Sequence, residues 1–110
     1  MDLSEELIRR IRVAVLPWAS HITEKKMFGG HCTMYKGKMC VGETKERLMV
    51  RVVPEKMEAV LEMPHVQPMD FTGKPMKEFI FVSAEGWDTQ EKIQQWVELG
   101  IEHAELKSGK

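Results

Sequence analysis

Only two cysteines occur in these 110 residues, too few for a disulfide framework, so a packed core must hold the fold. Cys32 and Cys40 are expected to be reduced thiols. No apolar run approaches the roughly 20 residues that a bilayer-spanning helix needs. The acidic start, Met1-Asp2-Leu3-Ser4-Glu5-Glu6, also lacks the basic-then-apolar pattern of a secretory signal. These absences predict a soluble cytoplasmic protein with no membrane partner. Missing too are Cys-x-x-Cys, His-Glu-x-x-His, the P-loop pattern Gly-x-x-x-x-Gly-Lys-Ser/Thr, any internal repeat and any low-complexity segment. Neither sign of charge dominates. Lys+Arg number 16 against 17 Asp+Glu, and a pI near 6.4 is far from that of a dedicated nucleic-acid binder.

What is present is ordinary globular composition, 43% hydrophobic and 30% charged, in a length that suits one domain over residues 1–110 with a frayed tail about 107–110. Charge is uneven along the chain. Residues 1–52 hold 10 Lys/Arg and 6 Asp/Glu (+4), and residues 53–110 hold 6 and 11 (−5). That asymmetry suits either a basic face for an acidic partner or two plain solvated faces.

Asp2, with Glu5 three residues on, has the capping-box spacing of a first helix. Leu3, Leu7, Ile8, Ile11, Ala14 and Val15 then recur at helical period, and Pro17 ends the helix near Val15, with Trp18 packed near its end. Three strands are expected next, His31 to Tyr35, Lys38 to Glu43 and Arg47 to Val53, with turns at Lys36-Gly37 and Thr44-Lys45-Glu46. A two-residue turn at Lys36-Gly37 pairs Thr33 with Cys40 and Cys32 with Val41, which puts the two thiols on opposite faces. In the third strand, Arg51 should point away from the face carrying Val50 and Val52. Pro54 opens a short helix with Met57, Val60 and Leu61 on one side, stopped by Met63-Pro64. Val66 to Met69 and Phe79 to Ser83 read as strands. Asp88 and Glu91 repeat the capping box before a last helix whose Ile93, Trp96, Val97, Gly100, Ile101 and Ala104 share a face. The order is helix, three strands, helix, two strands, helix. It predicts a two-layer α+β domain with a mainly antiparallel sheet covered by helices.

Two glycine corners punctuate that order. Lys26-Met27-Phe28-Gly29-Gly30 sits before the strands, and Asp70-Phe71-Thr72-Gly73-Lys74 sits before the last one. Each sets an aromatic ahead of glycine, with a lysine close by. At both corners glycine is expected to supply positive φ. The run Lys26-Met27-Phe28-Gly29-Gly30, then Gly37-Lys38-Met39-Cys40, Leu48-Met49-Val50-Arg51-Val52, Pro54-Glu55, residues 65–76 from His65 to Met76, and Trp96-Val97 resembles the N-terminal domain of the TfoX (Sxy) family. The resemblance covers roughly residues 26–104 in one order. It implies a secretion-chaperone-like α+β fold. TfoX regulates natural competence in bacteria, and there this domain precedes a helical C-terminal domain. The present chain reads as a small stand-alone member.

Residue types alone admit several chemistries. His31, Cys32, Cys40 and His65 are acceptable zinc ligands, but without a ligand-spacing motif. Cys32 beside His31 in a strand would point to the other face, a poor nucleophile–base pair. Gly29-Gly30 beside Lys25 and Lys26 invites a phosphate, yet a strand follows where a helix N-terminus is needed. Thr72-Gly73-Lys74 could hold an anion or simply turn, and Asp70 has no partner at acid–base spacing. The nine methionines are core filler or an adaptable binding surface. Arg9, Arg10, Arg12, Lys25, Lys26, Lys36, Lys38 and Arg51 could neutralise phosphates if they converge. The reading is a non-enzymatic regulatory or protein-interaction domain, without cofactor, with an unknown protein partner and a homodimer as one form. The alternatives are a nucleic-acid-associated regulator using the basic first half, and a small metal-binding protein or enzyme.

Overall fold

The computed structural model describes the backbone of residues 3–27, 30–71 and 74–108. Helix α1 (Leu3–Ala14) buries Leu7, Ile11 and Ala14 of the expected stripe, while Leu3 at its start is exposed. A 3₁₀ segment, Leu16–His21, follows with Pro17 in its first turn. Then come β1 (Ile22–Met27), β2 (Gly30–Tyr35), β3 (Lys38–Thr44) and β4 (Arg47–Arg51), helix α2 (Pro54–Leu61), β5 (Val66–Phe71), β6 (Lys74–Val82) and helix α3 (Gln90–Ser108). All six strands form one sheet in the order β1-β2-β3-β4-β6-β5, every pair antiparallel. The α+β architecture is the expected one.

One strand more than expected precedes α2. Strand β1, Ile-Thr-Glu-Lys-Lys-Met, pairs with β2 along its full length, from Ile22 opposite Tyr35 to Met27 opposite Gly30. Its residues 23–26 are exposed on both sides, so it carries no alternation of apolar and polar residues to announce it. Only hydrogen bonding to β2 makes it a strand.

The β2–β3 hairpin turns at Lys36-Gly37, both at positive φ (51° and 82°), the torsions of a type I′ turn. Beyond Met34–Met39 the expected register slips by one residue, because a bulge pairs Thr33 with Val41 and Cys32 with Gly42. The extra residue is Cys40, and the bulge turns both Cys40 and Val41 into the main core. Cys32 belongs to the cluster on the opposite face. The thiols are separated by face as expected, through a different register.

The main core lies between the sheet and the helices, with Val41, Leu48, Val50, Val52, Ile80 and Val82 meeting Leu7, Ile11, Ile93, Trp96, Val97 and Ile101. Full burial of each such side chain contributes about 1.5–3 kcal/mol. On the other face Cys32, Met39, Met49, Phe79 and Phe81 form a second buried cluster, which is why β6 reads as apolar on both sides. The Arg47 guanidinium stands 3.7 Å from the Phe81 ring centroid and that of Arg51 stands 5.2 Å from Phe79, both within cation–π range. Arg51 thus points away from Val50 and Val52.

Helix α3 starts one residue later than its capping-box pattern indicates. Thr89 Oγ1, not Asp88, accepts from the Lys92 backbone N–H at 3.2 Å, and Asp88 pairs with the Lys92 ammonium. The Asp2 cap lies outside the described residues. Gly100 sits where α3 meets β3. A Cβ there would come within 2.4 Å of the Cys40 carbonyl oxygen and 3.0 Å of Val41 Cγ1. Alanine gains about 1 kcal/mol of helix propensity over glycine, but overpacking against backbone costs about 1–3 kcal/mol. Gly100→Ala is therefore expected to lower stability in urea unfolding, against its propensity; a stabilised variant would show that α3 can lift from β3.

Candidate functional site

The first glycine corner joins β1 to β2. Phe28 and Gly29 lie outside the described residues, as does the Met27 side chain, whereas Lys26 is on β1 and Gly30 opens β2. Gly30 is not at positive φ, contrary to expectation. Its need for glycine is steric, since a Cβ would lie 1.9 Å from the Glu43 carbonyl oxygen of β3.

Strand β1 is one end of the sheet. The Lys36 N–H donates to the His21 carbonyl at 2.9 Å, one step beyond the Ile22–Tyr35 pair. Antiparallel pairs alternate between bonded and non-bonded, so Thr23, Lys25 and Met27 direct their backbone groups at β2. Ile22, Glu24 and Lys26 direct theirs outward. The Ile22 N–H is taken by the Ala19 carbonyl; the N–H and C=O of Glu24 and Lys26 face outward, away from the sheet.

Electrostatics make this edge basic. Arg12 of α1 grips Glu24 with two hydrogen bonds of 2.9 Å, the bidentate arrangement suited to guanidinium and carboxylate. His31 Nε2 lies 2.9 Å from the same carboxylate. Chiefly the Arg12 hydrogen bond, opposed by burial, holds the Glu24 carboxyl below the ordinary carboxylate range. Lys25 and Lys26 have no ion-pair partner among the described residues, and both are exposed. Four other cations of the first half are engaged with groups of their own. Arg9 and Arg10 are both paired with Glu6, Lys36 lies over the Tyr35 ring, and Arg51 is paired with Glu78.

Of the second corner, Thr72 and Gly73 and the side chains of Asp70, Phe71 and Lys74 lie outside the described residues. The backbones of Phe71 and Lys74 are paired as partners of the β5–β6 hairpin.

The proposed zinc ligands are dispersed. Cys32 and Cys40 are on opposite faces, and His65 precedes β5 at the far side of the sheet from β2. No group of three His, Cys, Asp or Glu suited to a metal occurs among the described residues. Both thiols are buried, and burial pushes the Cys40 thiol from its ordinary 9.0 to about 12. A nucleophile needs the opposite shift. Because the folded thiol keeps its proton while the unfolded one loses it, stability should fall as pH rises through the interval between 9.0 and about 12. The limiting slope is about 1.4 kcal/mol per pH unit. Urea midpoints followed from about pH 8 to about pH 10.5 should show this fall, and Cys40→Ala should flatten it.

A polar network absent from the sequence reading joins β6, β4 and α3. Glu78, a non-glycine residue at φ 77°, places Oε1 3.1 Å from Nε2 of buried His103 and 3.3 Å from Arg51 Nη2. No spacing in sequence signals that one carboxylate reaches both. His103 also lines a cavity of about 230 Å³ with Val53, Pro54, Glu55 and Leu106. A second cavity, about 300 Å³, is lined by Met63, Pro64, His65, Glu85, Gly86, Lys92, Gln95 and Trp96. Its cation is already engaged, for Lys92 Nζ donates to Glu85 O at 3.0 Å and to Asp88 at 2.9 Å. Neither cavity gathers a nucleophile, a base and an oxyanion donor among the described residues.

Among curated proteins nothing matches the chain. The family described as the TfoX N-terminal domain matches residues 15–104, a span running from the end of α1 through β1, the whole sheet and most of α3. Matched over that length and folded as an α+β domain on one antiparallel sheet, the chain belongs to the TfoX N-terminal domain family.

Proposed function

We propose that this chain is a non-enzymatic regulatory domain of the cytoplasm that works by binding another protein, with β1 as the contact. The observation that carries this reading is the β1 edge, whose residues 23–26 are exposed and whose outward backbone groups have no strand beyond them among the described residues. Backbone donors and acceptors in that position are a template for another chain. Membership in a family named for a regulator agrees with it. Among the described residues, the buried, proton-retaining Cys40 and the cavities at His103 and at Trp96 offer no convergent set to an enzyme. Of the eight cations that could neutralise phosphates, Arg9, Arg10, Arg12 and Arg51 are paired with carboxylates instead.

The test is affinity capture from native cell extract, with and without nuclease, using the wild-type chain and a Lys25→Glu/Lys26→Glu double variant. A protein retained despite nuclease and lost with the double variant is the expected result. Material removed entirely by nuclease would replace this reading with a nucleic-acid regulator. Turnover of a small molecule that disappears when a cavity residue is changed would replace it with an enzyme.

A further inference from the structure

The two ends of the sheet are built differently. At the β5 end the Ser83 N–H donates to the His65 carbonyl at 2.9 Å, so the same alternation turns Val66 and Pro68 outward. Proline has no N–H to offer there, and the ladder shifts register between Pro68 and Asp70. Both features blunt an edge against pairing. Strand β1 has neither. Its six residues pair with β2 without a bulge, and no proline interrupts the outward row.

The edge is guarded by charge instead. Successive side chains of a strand project to opposite faces, so Lys26 shares the helix-covered face with Glu24 while Lys25 projects on the other. Glu24 is already claimed by Arg12 and His31. A second copy of β1 pairing about a two-fold axis centred on Glu24 or on Lys26 would set that charge against its own copy, which disfavours those registers. The same lysines would favour a strand carrying two adjacent acidic residues, because one carboxylate would fall on each face.

We infer that β1 accepts an extended acidic segment of a partner protein as a seventh strand, the outward backbone groups of Glu24 and Lys26 supplying the pairing and Lys25 and Lys26 the selection. This rests on the interaction-domain reading and adds the mode of binding and the chemistry of the partner. Strand addition of this kind takes affinity from main-chain hydrogen bonds and specificity from side chains.

The test uses the intact chain and a fluorescent peptide, acetyl-Thr-Val-Thr-Glu-Glu-Val-Thr-Val-amide, followed by anisotropy. Saturable binding is expected, with the analogue bearing Lys-Lys at the centre at least about tenfold weaker. Lys25→Glu/Lys26→Glu should invert that preference. Two further peptides, N-methylated on alternate residues in either phase, separate backbone pairing from charge, since only one phase faces β1 and only that one should lose binding. Glu24→Pro, which removes an outward N–H, should bind about tenfold more weakly than Glu24→Gln, which loses the same carboxylate but keeps that N–H. Thermal melting checks that both variants fold. Absence of saturable binding would overturn the inference, and so would equal binding by both methylated peptides. Displacement of the peptide by a tighter-binding oligothymidine would assign the edge to nucleic acid. A dimer abolished by Glu24→Pro would assign it to a second copy. If extract capture still depends on Lys25 and Lys26 while the peptides fail, strand addition falls and the interaction domain stands. If the peptides bind but capture yields only nuclease-sensitive material, the interaction-domain reading falls.

Discussion

Gly30→Val is expected to leave the chain without a cooperative thermal transition. Gly30 opens β2 opposite Met27, and the site is closed by the neighbouring strand. A Cβ would lie 1.9 Å from the Glu43 carbonyl oxygen and 2.9 Å from both the Glu43 carbonyl carbon and Thr44 Cβ. The obstacle is backbone, so no rotamer change relieves it. The β2–β3 pair must separate near His31–Glu43, which takes the β1 hairpin with it. Overpacking usually costs about 1–3 kcal/mol. A branched side chain against a paired strand should exceed that, a large share of the roughly 5–15 kcal/mol that holds a domain folded. Gly30→Ala should already cost about 2–3 kcal/mol in urea unfolding. A near-neutral alanine would remove the steric account and reopen the torsional one.

Trp96→Ala should cost about 3–5 kcal/mol. Trp96 is 6% exposed in α3 and packs in the main core, and its indole N–H donates to the Gly86 carbonyl at 2.9 Å. Two terms can be separated. Trp96→Phe keeps most of the apolar volume and loses the hydrogen bond, a net contribution of about 0.5–1.5 kcal/mol. Because Trp96 and Gly86 both line the cavity of about 300 Å³, water can reach the abandoned carbonyl, so lost packing should dominate. Urea unfolding of the two variants measures the split. A Trp96→Phe loss as large as that of Trp96→Ala would show the hydrogen bond, not packing, to be the anchor.

The two long helices were legible because each buries one stripe. Leu7, Ile11 and Ala14 in α1, and Ile93, Trp96, Val97, Ile101 and Ala104 in α3, stand at helical period and all are buried. The lysine-glycine turn at 36–37 was legible as well, since glycine accepts the positive φ a tight hairpin needs. Strand β1 was not, because an edge strand exposed on both sides needs no alternation. The β2–β3 register failed for another reason. A bulge is one extra residue, and nothing local distinguishes Cys40 as that residue. Its place follows from filling the core beneath α3, with Val41 beside it.

The candidate site divides along the same line. The Lys26–Gly30 stretch stands out in the sequence for its glycines, and the family match spans it. Yet the property that makes the region a candidate contact is the free edge beside it, and an edge exists only once the strand order is set. Likewise Glu78, His103 and Arg51, from three elements, share one carboxylate without any common spacing.

By itself the sequence determined the helices, the antiparallel hairpins, the α+β class and the family, because periodicity, turn torsions and ordered motifs are local properties of a chain. Tertiary structure alone decided that Ile22–Met27 is a strand, that Gly30 is held by contact and not torsion, and that β1 stands at the sheet's end with its lysines in no ion pair among the described residues. Those outcomes depend on which strand lies next to which, and sheet neighbours are chosen by burial and hydrogen bonding across the whole fold.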